Sequence, residues 1–386
     1  MDATEPALRW FPLVARARPA CAPLDKRVAA LCTLAETAAR SNDQAAASAV
    51  HNQAALLASD VGMPTLAREL CHRHTEFYLR ACPLDARAAR RALEPLVNLA
   101  RLHIRDANGG SAFRLLDTLY EAVTSGTDIV VDDLLVPVST LVASPAEWQE
   151  LRRWLWSVHL ADGTRALTSA GQWQEALVHL RRHRGIGNRM LDGRQVAVVA
   201  RLTAGATEEA MRLLASTTAG EPWEEAVAAS LTALCRRRAG QPIAESTATL
   251  VLRYERLHLP PDLVVFRTRL GLALIDAADC NEIRTIRSAI INLALQAVSF
   301  KDGYAARVIL ERGHLLPKRQ KRQLREVLDY SGLGQGSMPL DLQARLDTAV
   351  TTAESVLVEN QGLSRDSQQS PTVSTGVDPL QTRFSS

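Results

Sequence analysis

Residues 163–185 read GTRALTSAGQWQEALVHLRRHRG, which predicts two helices joined by a tight turn. Leu167 and Ala170 end the apolar stripe of the first helix. Gly171 suits the turn, because a residue without Cβ adopts a positive φ at no steric cost. The second helix carries its apolar stripe at the i, i+3, i+4, i+7 spacing, on Trp173, Ala176, Leu177 and Leu180.

The same spacing between a turn glycine and a small residue returns downstream. Gly171 precedes Ala176 as Gly205 precedes Ala210, and the two alanines are 34 residues apart. A further 34 residues lead to Ala244, in a unit whose turn glycine has slipped by one position. This period is typical of two-helix units that cannot bury their apolar faces alone and therefore stack on their neighbours.

Residues from about 157 to 258 resemble tetratricopeptide repeats. The turn glycines of the repeat match Gly171 and Gly205, and its bulky residue matches Trp173. Its small residues match Ala176, Ala210 and Ala244, its large apolar residues match Leu180 and Leu214, and its terminating proline matches Pro222. The chain departs from the family at Thr164, Val198 and Thr232, where a glycine is usual, and at Thr207 and Gln241, where a bulky residue is usual. Helical hairpins of other families can show three such units. The resemblance implies an all-α fold, an α-solenoid of stacked antiparallel helical hairpins.

The composition also favours helices. Of the 386 residues, 47% are hydrophobic but only 4% are aromatic, so alanine, leucine and valine must build the core. Small side chains suit closely packed helices better than a β-sandwich. The formal charge of +3 is too close to balance to indicate nucleic-acid binding by itself.

No targeting signal is expected. The first residues are acidic where a secretory signal needs basic ones, and no stretch reaches the roughly 20 apolar residues of a membrane span. Six cysteines are scattered without a CxxC pair, as expected for reduced thiols: Cys21, Cys32, Cys71, Cys82, Cys235 and Cys280. A cytoplasmic chain is the expectation.

Turn signals and composition divide the chain into six parts. These are an irregular segment at 1–24, helical hairpins at 25–124, a connecting segment at 125–144, central tetratricopeptide-like repeats at 145–258, further hairpins with a basic helix at 259–358, and a disordered tail at 359–386. Pro95 is expected to bend or split its helix. The β-branched run at 125–144 is compatible with a short strand, but an extended connection leading to a short helix is favoured.

Residues that carry chemistry are few. His72 and His74 lie two apart on a helix and point away from each other, so packing of Cys71 between exposed imidazoles is favoured over a metal site. His179 and His183 share a helix face at i, i+4, but no third ligand is evident and a solvated basic face is favoured.

Two other motifs also favour structural roles. Asp132-Asp133 is expected to cap a helix rather than bind a cation, because no further carboxylate follows at i+3 or i+4. The glycine-rich stretch at 332–337 follows a helix and lacks the lysine and hydroxyl of a phosphate loop. We predict no catalytic residue, no cofactor site and no metal site.

A basic segment lies near the C-terminus. Its patch comprises Lys318, Arg319, Lys321, Arg322 and Arg325. Leu324 and Val327 mark an amphipathic helix whose basic side is expected to face solvent. Without an aromatic platform or a helix-turn-helix pattern, contact with nucleic acid is the weaker interpretation.

The family resemblance implies a groove lined by the first helix of each unit, which binds a peptide segment of another protein. On this sequence the groove residues would be Arg165, Ser169, Asp192, Gln195, Arg236 and Arg237. Arginines bind carboxylates through paired hydrogen bonds, so the expected partner is an acidic peptide segment.

The whole chain is also similar to the alanine- and arginine-rich, all-helical repeat proteins of high-GC actinobacteria. These patterns favour a non-catalytic interaction scaffold or regulatory partner. Two alternatives stay open. One is a regulator of transcription or of a biosynthetic pathway that senses a small molecule between its helices. The other is an all-α enzyme whose site is assembled only by the fold. No membrane partner is expected, and the sequence does not indicate an oligomeric state.

Overall fold

A computed structural model describes residues 7–241, 247–277 and 283–369. The structure is 74% helical, with 16 helices and one two-stranded sheet in the described parts of the chain. The predicted all-α class is confirmed. None of the helices in these ranges combines the length and the apolar character that crossing a membrane requires.

The chain begins with five helices in succession. They are α1 (Leu24–Ser41), α2 (Gln44–Val61), α3 (Pro64–Leu79), α4 (Ala86–Arg105) and α5 (Gly109–Ser125). The Asp43 carboxylate caps α2 by accepting the N–H groups of Ala45 and Ala46. Pro95 is buried inside α4, which continues as one helix. Pro95 therefore does not split α4, which packs against α3 and α5.

The connecting segment forms a hairpin of β1 (Ile129–Val131) and β2 (Leu134–Val136). Asp132 and Asp133 form its turn with φ values of 46° and 67°. Positive φ at both central residues matches the twist of a two-residue hairpin, and aspartate tolerates that region. The favoured extended connection and the capping role of the two aspartates are therefore wrong. A short 3₁₀ helix, Val138–Thr140, follows.

Six helices form the central part. They are α6 (Pro145–Ser169), α7 (Trp173–Arg182), α8 (Asp192–Thr203), α9 (Thr207–Ala215), α10 (Pro222–Arg238) and α11 (Thr247–Glu255). The turn glycines Gly171, Gly205 and Gly240 have φ values of 72°, 81° and 66°. Ala176 and Ala210 are fully buried, as close helix packing requires. Ala244 lies outside the described residues.

The last five helices are α12 (Val264–Ala277), α13 (Ile283–Ser299), α14 (Gly303–Leu310), α15 (Lys318–Ser331) and α16 (Leu340–Gln369). Helix α16 continues to Gln369 and so extends into the segment 359–386 that the sequence analysis assigned to the tail. Residues 370–386 lie outside the described chain. On α15, Leu324 is buried while most of the basic patch is exposed, and Arg322 pairs with Glu326 at 3.6 Å.

The described core forms two apolar clusters, and each includes a segment from the opposite end of the chain. One cluster joins α1 to α6 with residues 338–357, which include most of α16. The other joins residues 7–21 with the helices from α7 to α15. Helix α16 accordingly packs against α1 and α2, and the N-terminal 3₁₀ helix Leu8–Trp10 packs against α12. Each half of the molecule is completed by the opposite end of the chain.

Candidate binding site around the N-terminal segment

The N-terminal segment, residues 7–21, lies against the central and C-terminal helices. After the 3₁₀ helix it continues without regular secondary structure to α1. Leu8, Phe11 and Leu13 are between 0% and 4% exposed, so the segment contributes to the second apolar cluster. Its main chain and polar side chains reach α8, α12 and α14.

Gln195 on α8 holds the main chain of this segment. Its Oε1 accepts the Leu13 N–H at 2.6 Å, and its Nε2 donates to the Leu13 carbonyl at 2.7 Å. Nε2 also donates to the Met190 carbonyl at 3.0 Å. One buried amide thus satisfies both polar groups of one residue, as a neighbouring β-strand would. Three residues later, Arg16 pairs with Asp192 at 2.9 Å.

The beginning of the N-terminal segment contacts Asp276, at the end of α12. The Trp10 indole donates to its Oδ2 at 2.8 Å. Arg312 donates to both carboxylate oxygens at 2.6 and 2.7 Å, and Arg237 donates to its carbonyl at 2.6 Å. The guanidinium of Arg312 therefore compensates the charge of the carboxylate that also binds Trp10 of the segment.

The structure brings together only part of the predicted groove. Asp192 and Gln195 contact the segment directly, and Arg237 contacts Asp276. The Ser169 hydroxyl instead donates to the Ala166 carbonyl within its own helix at 2.8 Å. Arg236 packs with its Nε buried, and this atom has no hydrogen-bond partner among the described residues. The sequence did not indicate that the N-terminal segment of the chain lies against Asp192 and Gln195; the apolar residues of that segment were the only signal.

Arg165, the sixth predicted groove residue, belongs to a cluster that we call the arginine recess: Arg18, Arg165, Arg269 and Arg307. Its members come from the N-terminal segment, α6, α12 and α14. Burial lowers the pKa of Arg269 to about 10, and repulsion from the other three members acts in the same direction. Burial likewise lowers the pKa of Arg165, with added repulsion from Arg105, Arg18 and Arg101.

The same side chains are open to water. Arg165, Arg269 and Arg307 are exposed, and Arg18 is half-buried with its guanidinium 3.6 Å above the Tyr304 ring. The guanidinium groups are close enough to repel one another, so the local positive charge is higher than around an isolated arginine.

The carboxylates near the arginine recess form ion pairs with arginines outside it. Asp162 pairs with Arg101 at 2.8 Å, and Glu311 pairs with Arg9 at 2.8 Å. Across the described ranges, no carboxylate lies within ion-pair distance of Arg165, Arg269 or Arg307. The recess therefore has excess positive charge, which attracts anionic groups.

A separate cavity lies between α11, α12 and α13. Its volume is ≈ 460 Å³, and its walls include Tyr254, Gly271 and Leu293. A Cβ at Gly271 would lie 3.1 Å from the Tyr254 ring, so the glycine keeps this space open. Arg267, at the cavity wall, donates hydrogen bonds to the carbonyls of Leu257 and Leu259, so its guanidinium already has partners. Polar side chains, including Glu255, Asn292 and Gln296, line it beside the apolar ones, so the cavity suits a small molecule with both polar and apolar groups.

Comparison with known proteins finds no matching family model, no similar curated protein and no similar solved structure. The resemblance to tetratricopeptide repeats therefore depends only on the residues of this chain.

Proposed function

We propose that this protein is a non-catalytic interaction protein, an α-solenoid of tetratricopeptide-like hairpins that binds an acidic segment of another protein in the arginine recess. The observation that carries the proposal is the convergence of Arg165, Arg269 and Arg307 without a carboxylate partner in the described chain. Like charges held together destabilise the free protein, and an anionic ligand would relieve that repulsion.

The solenoid interpretation is supported by the central helices. Helices α6 and α7, α8 and α9, and α10 and α11 follow one another as three contacting pairs, and each contacts the next pair. A positive-φ glycine separates the helices of every pair. These are the features that the 34-residue period predicts for stacked hairpins.

The N-terminal segment supports binding of an extended chain. Gln195 recognises the two main-chain groups of Leu13 and makes no demand on its side chain. Arg18, from the same segment, extends to the recess and increases its charge. A peptide bound beside this segment would find the guanidinium groups that carboxylates prefer.

Fluorescence anisotropy with a short labelled peptide rich in aspartate and glutamate tests the proposal on the full-length protein. The informative variant is Arg165→Gln with Arg269→Gln. The matched control is Arg319→Gln with Arg322→Gln, which removes the same charge from the exposed face of α15. We expect the recess variant to raise Kd about tenfold or more, and the control to change it about twofold or less.

Two outcomes would contradict the proposal. Equal losses of affinity in the two variants would mean that the peptide binds through the net charge of the protein alone. Unchanged binding in the recess variant would place the site elsewhere. A lysine-rich peptide of the same length serves as the negative probe and should not bind.

A small-molecule regulator is the second candidate, favoured by the cavity between α11 and α13. Gly271→Leu would fill that space without changing the charge of the protein. If a thermal-shift screen of metabolites yields a stabilising compound whose effect disappears in this variant and persists in the recess variant, the second candidate is correct. Stabilisation that persists in both variants would exclude it.

A further inference from the structure

Three histidines form a compact triangle where α6 meets α7. One ligand-type nitrogen from each of His159, His179 and His183 lies within 4.8 Å of the other two. The ring centroids are 4.7, 5.0 and 4.8 Å apart. The triangle lies outside the arginine recess and the cavity described above.

The fold adds a third ligand to the pair seen in sequence. His179 and His183 share one face of α7 and its C-terminal turn, and His159 projects from α6 opposite them. Gly163 permits the approach, since a Cβ there would lie 3.2 Å from His179 Nε2. His159 and His179 are 1% and 6% exposed, so the predicted solvated basic face is wrong.

The imidazole nitrogens have unused bonding capacity. Both ring nitrogens of His159 and Nε2 of His183 are buried without a hydrogen-bond partner in the described chain. His179 Nε2 lies 3.1 Å from the His159 carbonyl, which can only accept, so this nitrogen carries the proton and Nδ1 keeps its lone pair. Buried polar atoms without partners destabilise a protein unless something else binds them.

A carboxylate lies beside the triangle. Asp117 Oδ1 is 3.1 Å from His159 Nε2, although the two groups lack the alignment of a hydrogen bond. A carboxylate next to a ligating imidazole fixes its orientation and increases its basicity. Phe113 and Tyr120 flank the rings, and Tyr120 stacks on His159 with centroids 4.7 Å apart.

Burial favours the neutral form of the three imidazoles. Burial, followed by repulsion from the other two rings, lowers the pKa of His159 to about 3. Burial also lowers the pKa of both His179 and His183. Neutral imidazoles expose a lone pair, so a cation need not displace protons at neutral pH.

We infer that His159, His179 and His183 bind one divalent transition-metal ion of the Zn²⁺ type, with Asp117 positioning His159. Three imidazoles suit zinc, cobalt or nickel better than magnesium or calcium, which prefer oxygen ligands. A tetrahedral ion with metal–nitrogen bonds of about 2.0–2.1 Å requires nitrogens about 3.3 Å apart, so the rings must rotate inward on binding. The ion would tie α6 to α7 and stabilise the hairpin.

The test uses untagged, full-length protein stripped of metal, titrated with Co²⁺ and then with Zn²⁺. Visible absorption bands of tetrahedral Co²⁺, saturating at one ion per chain, are expected, followed by their loss when Zn²⁺ displaces the cobalt. His183→Gln is the main variant, because the half-buried His183 can be replaced with little effect on the core. We expect it to weaken binding about 100-fold or more, and Asp117→Asn to weaken it about tenfold.

The matched control is His72→Gln. His72 is also half-buried and lies 3.4 Å from the Asp132 carboxylate, but it belongs to α3 and not to the triangle. Its substitution should change metal affinity about twofold or less. If the wild-type protein binds neither ion at micromolar concentration, the triangle is a packed aromatic layer and the inference is wrong. Equal losses in His72→Gln and His183→Gln would show adventitious surface binding and would also overturn it.

Discussion

The Tyr304 hydroxyl, near the start of α14, donates a hydrogen bond to the Asp60 carboxylate, near the end of α2. The same carboxylate accepts from Arg27 at 2.5 Å and from Arg105 at 2.9 Å. The main-chain N–H groups of Gly334 and Gly336 donate to the carbonyls of Asp60 and Val61, each at 2.8 Å. The end of α2 thus connects the N-terminal helices to the C-terminal ones.

Replacing Asp60 should destabilise the whole chain. The Asp60 side chain is 4% exposed, and Asp60→Asn would leave the charges of Arg27 and Arg105 without their shared partner. Loss of one member of a buried charge network costs about 3 kcal/mol. Urea unfolding should show this decrease in the free energy of unfolding. The exposed Glu36→Gln, which removes the same charge, should change it by about 0.5 kcal/mol or less; a similar decrease in both variants would contradict the prediction.

Removing the Gln195 amide should release the N-terminal segment. In Gln195→Ala the N–H and carbonyl of Leu13 lose their partners inside the apolar cluster. Each unsatisfied buried group costs about 1–3 kcal/mol. We expect faster amide hydrogen exchange at residues 8–21 than in the wild type, with unchanged exchange in α2 and α3. Gln149→Ala on the exposed face of α6 is the control, and protection of residues 8–21 equal in both variants would contradict this role of Gln195.

Acid should weaken the packing of α2 against α3. Burial lowers the pKa of His51 to about 4 and lowers that of His74 well below its usual value. The unfolded chain takes up these protons near pH 6.5, so the unfolded state binds more protons as the pH falls from about 6.5 to 4. Stability should therefore decrease over that range by up to about 1.4 kcal/mol per pH unit for each histidine.

The contribution of His51 can be isolated by substitution. Its environment includes Arg73, which opposes protonation, and Glu354, whose carboxylate lies 3.9 Å from Nε2. In His51→Leu the decrease in unfolding free energy between pH 6.5 and 4 should be smaller than in the wild type. His314→Gln, at an exposed position, is the control. Parallel pH profiles for wild type and His51→Leu would exclude this explanation.

Features set by neighbouring residues were predictable from sequence. The positive φ at Gly171 and Gly205 follows from a glycine between two apolar stripes, and the cap at Asp43 follows from a carboxylate before α2. The Asp132-Asp133 turn was missed because propensity alone does not distinguish an aspartate in a hairpin turn from one that caps a helix.

Features that depend on distant residues were not predictable. Asp60 and Tyr304 are 244 positions apart, and no periodic pattern relates them. His159 comes 20 positions before His179 on a different helix, so a search for ligands at helical spacing finds only His179 and His183. The arginine recess was hidden for a similar reason, since arginine is common throughout the chain and only the fold selects Arg165 and Arg269.

The adjacent glycines Gly109 and Gly110 give the sharpest test of the helix packing. Both follow Asn108 in sequence, and both lie in the first turn of α5. A Cβ at Gly109 would lie 2.2 Å from the Ala166 carbonyl oxygen of α6, where only backbone movement could relieve the clash. A Cβ at Gly110 would meet nothing closer than the flexible Arg114 side chain, at 3.6 Å.

The same substitution should therefore have opposite effects at the two positions. Gly109→Ala should destabilise the protein by about 2–3 kcal/mol, because α5 and α6 must separate. Gly110→Ala should stabilise it by about 0.5 kcal/mol, because alanine loses less backbone entropy in a helix. Urea unfolding of both variants measures the difference. Equal changes would mean that α5 and α6 do not approach each other at Gly109, and the position of α6, which carries both Arg165 and His159, would then have to be revised.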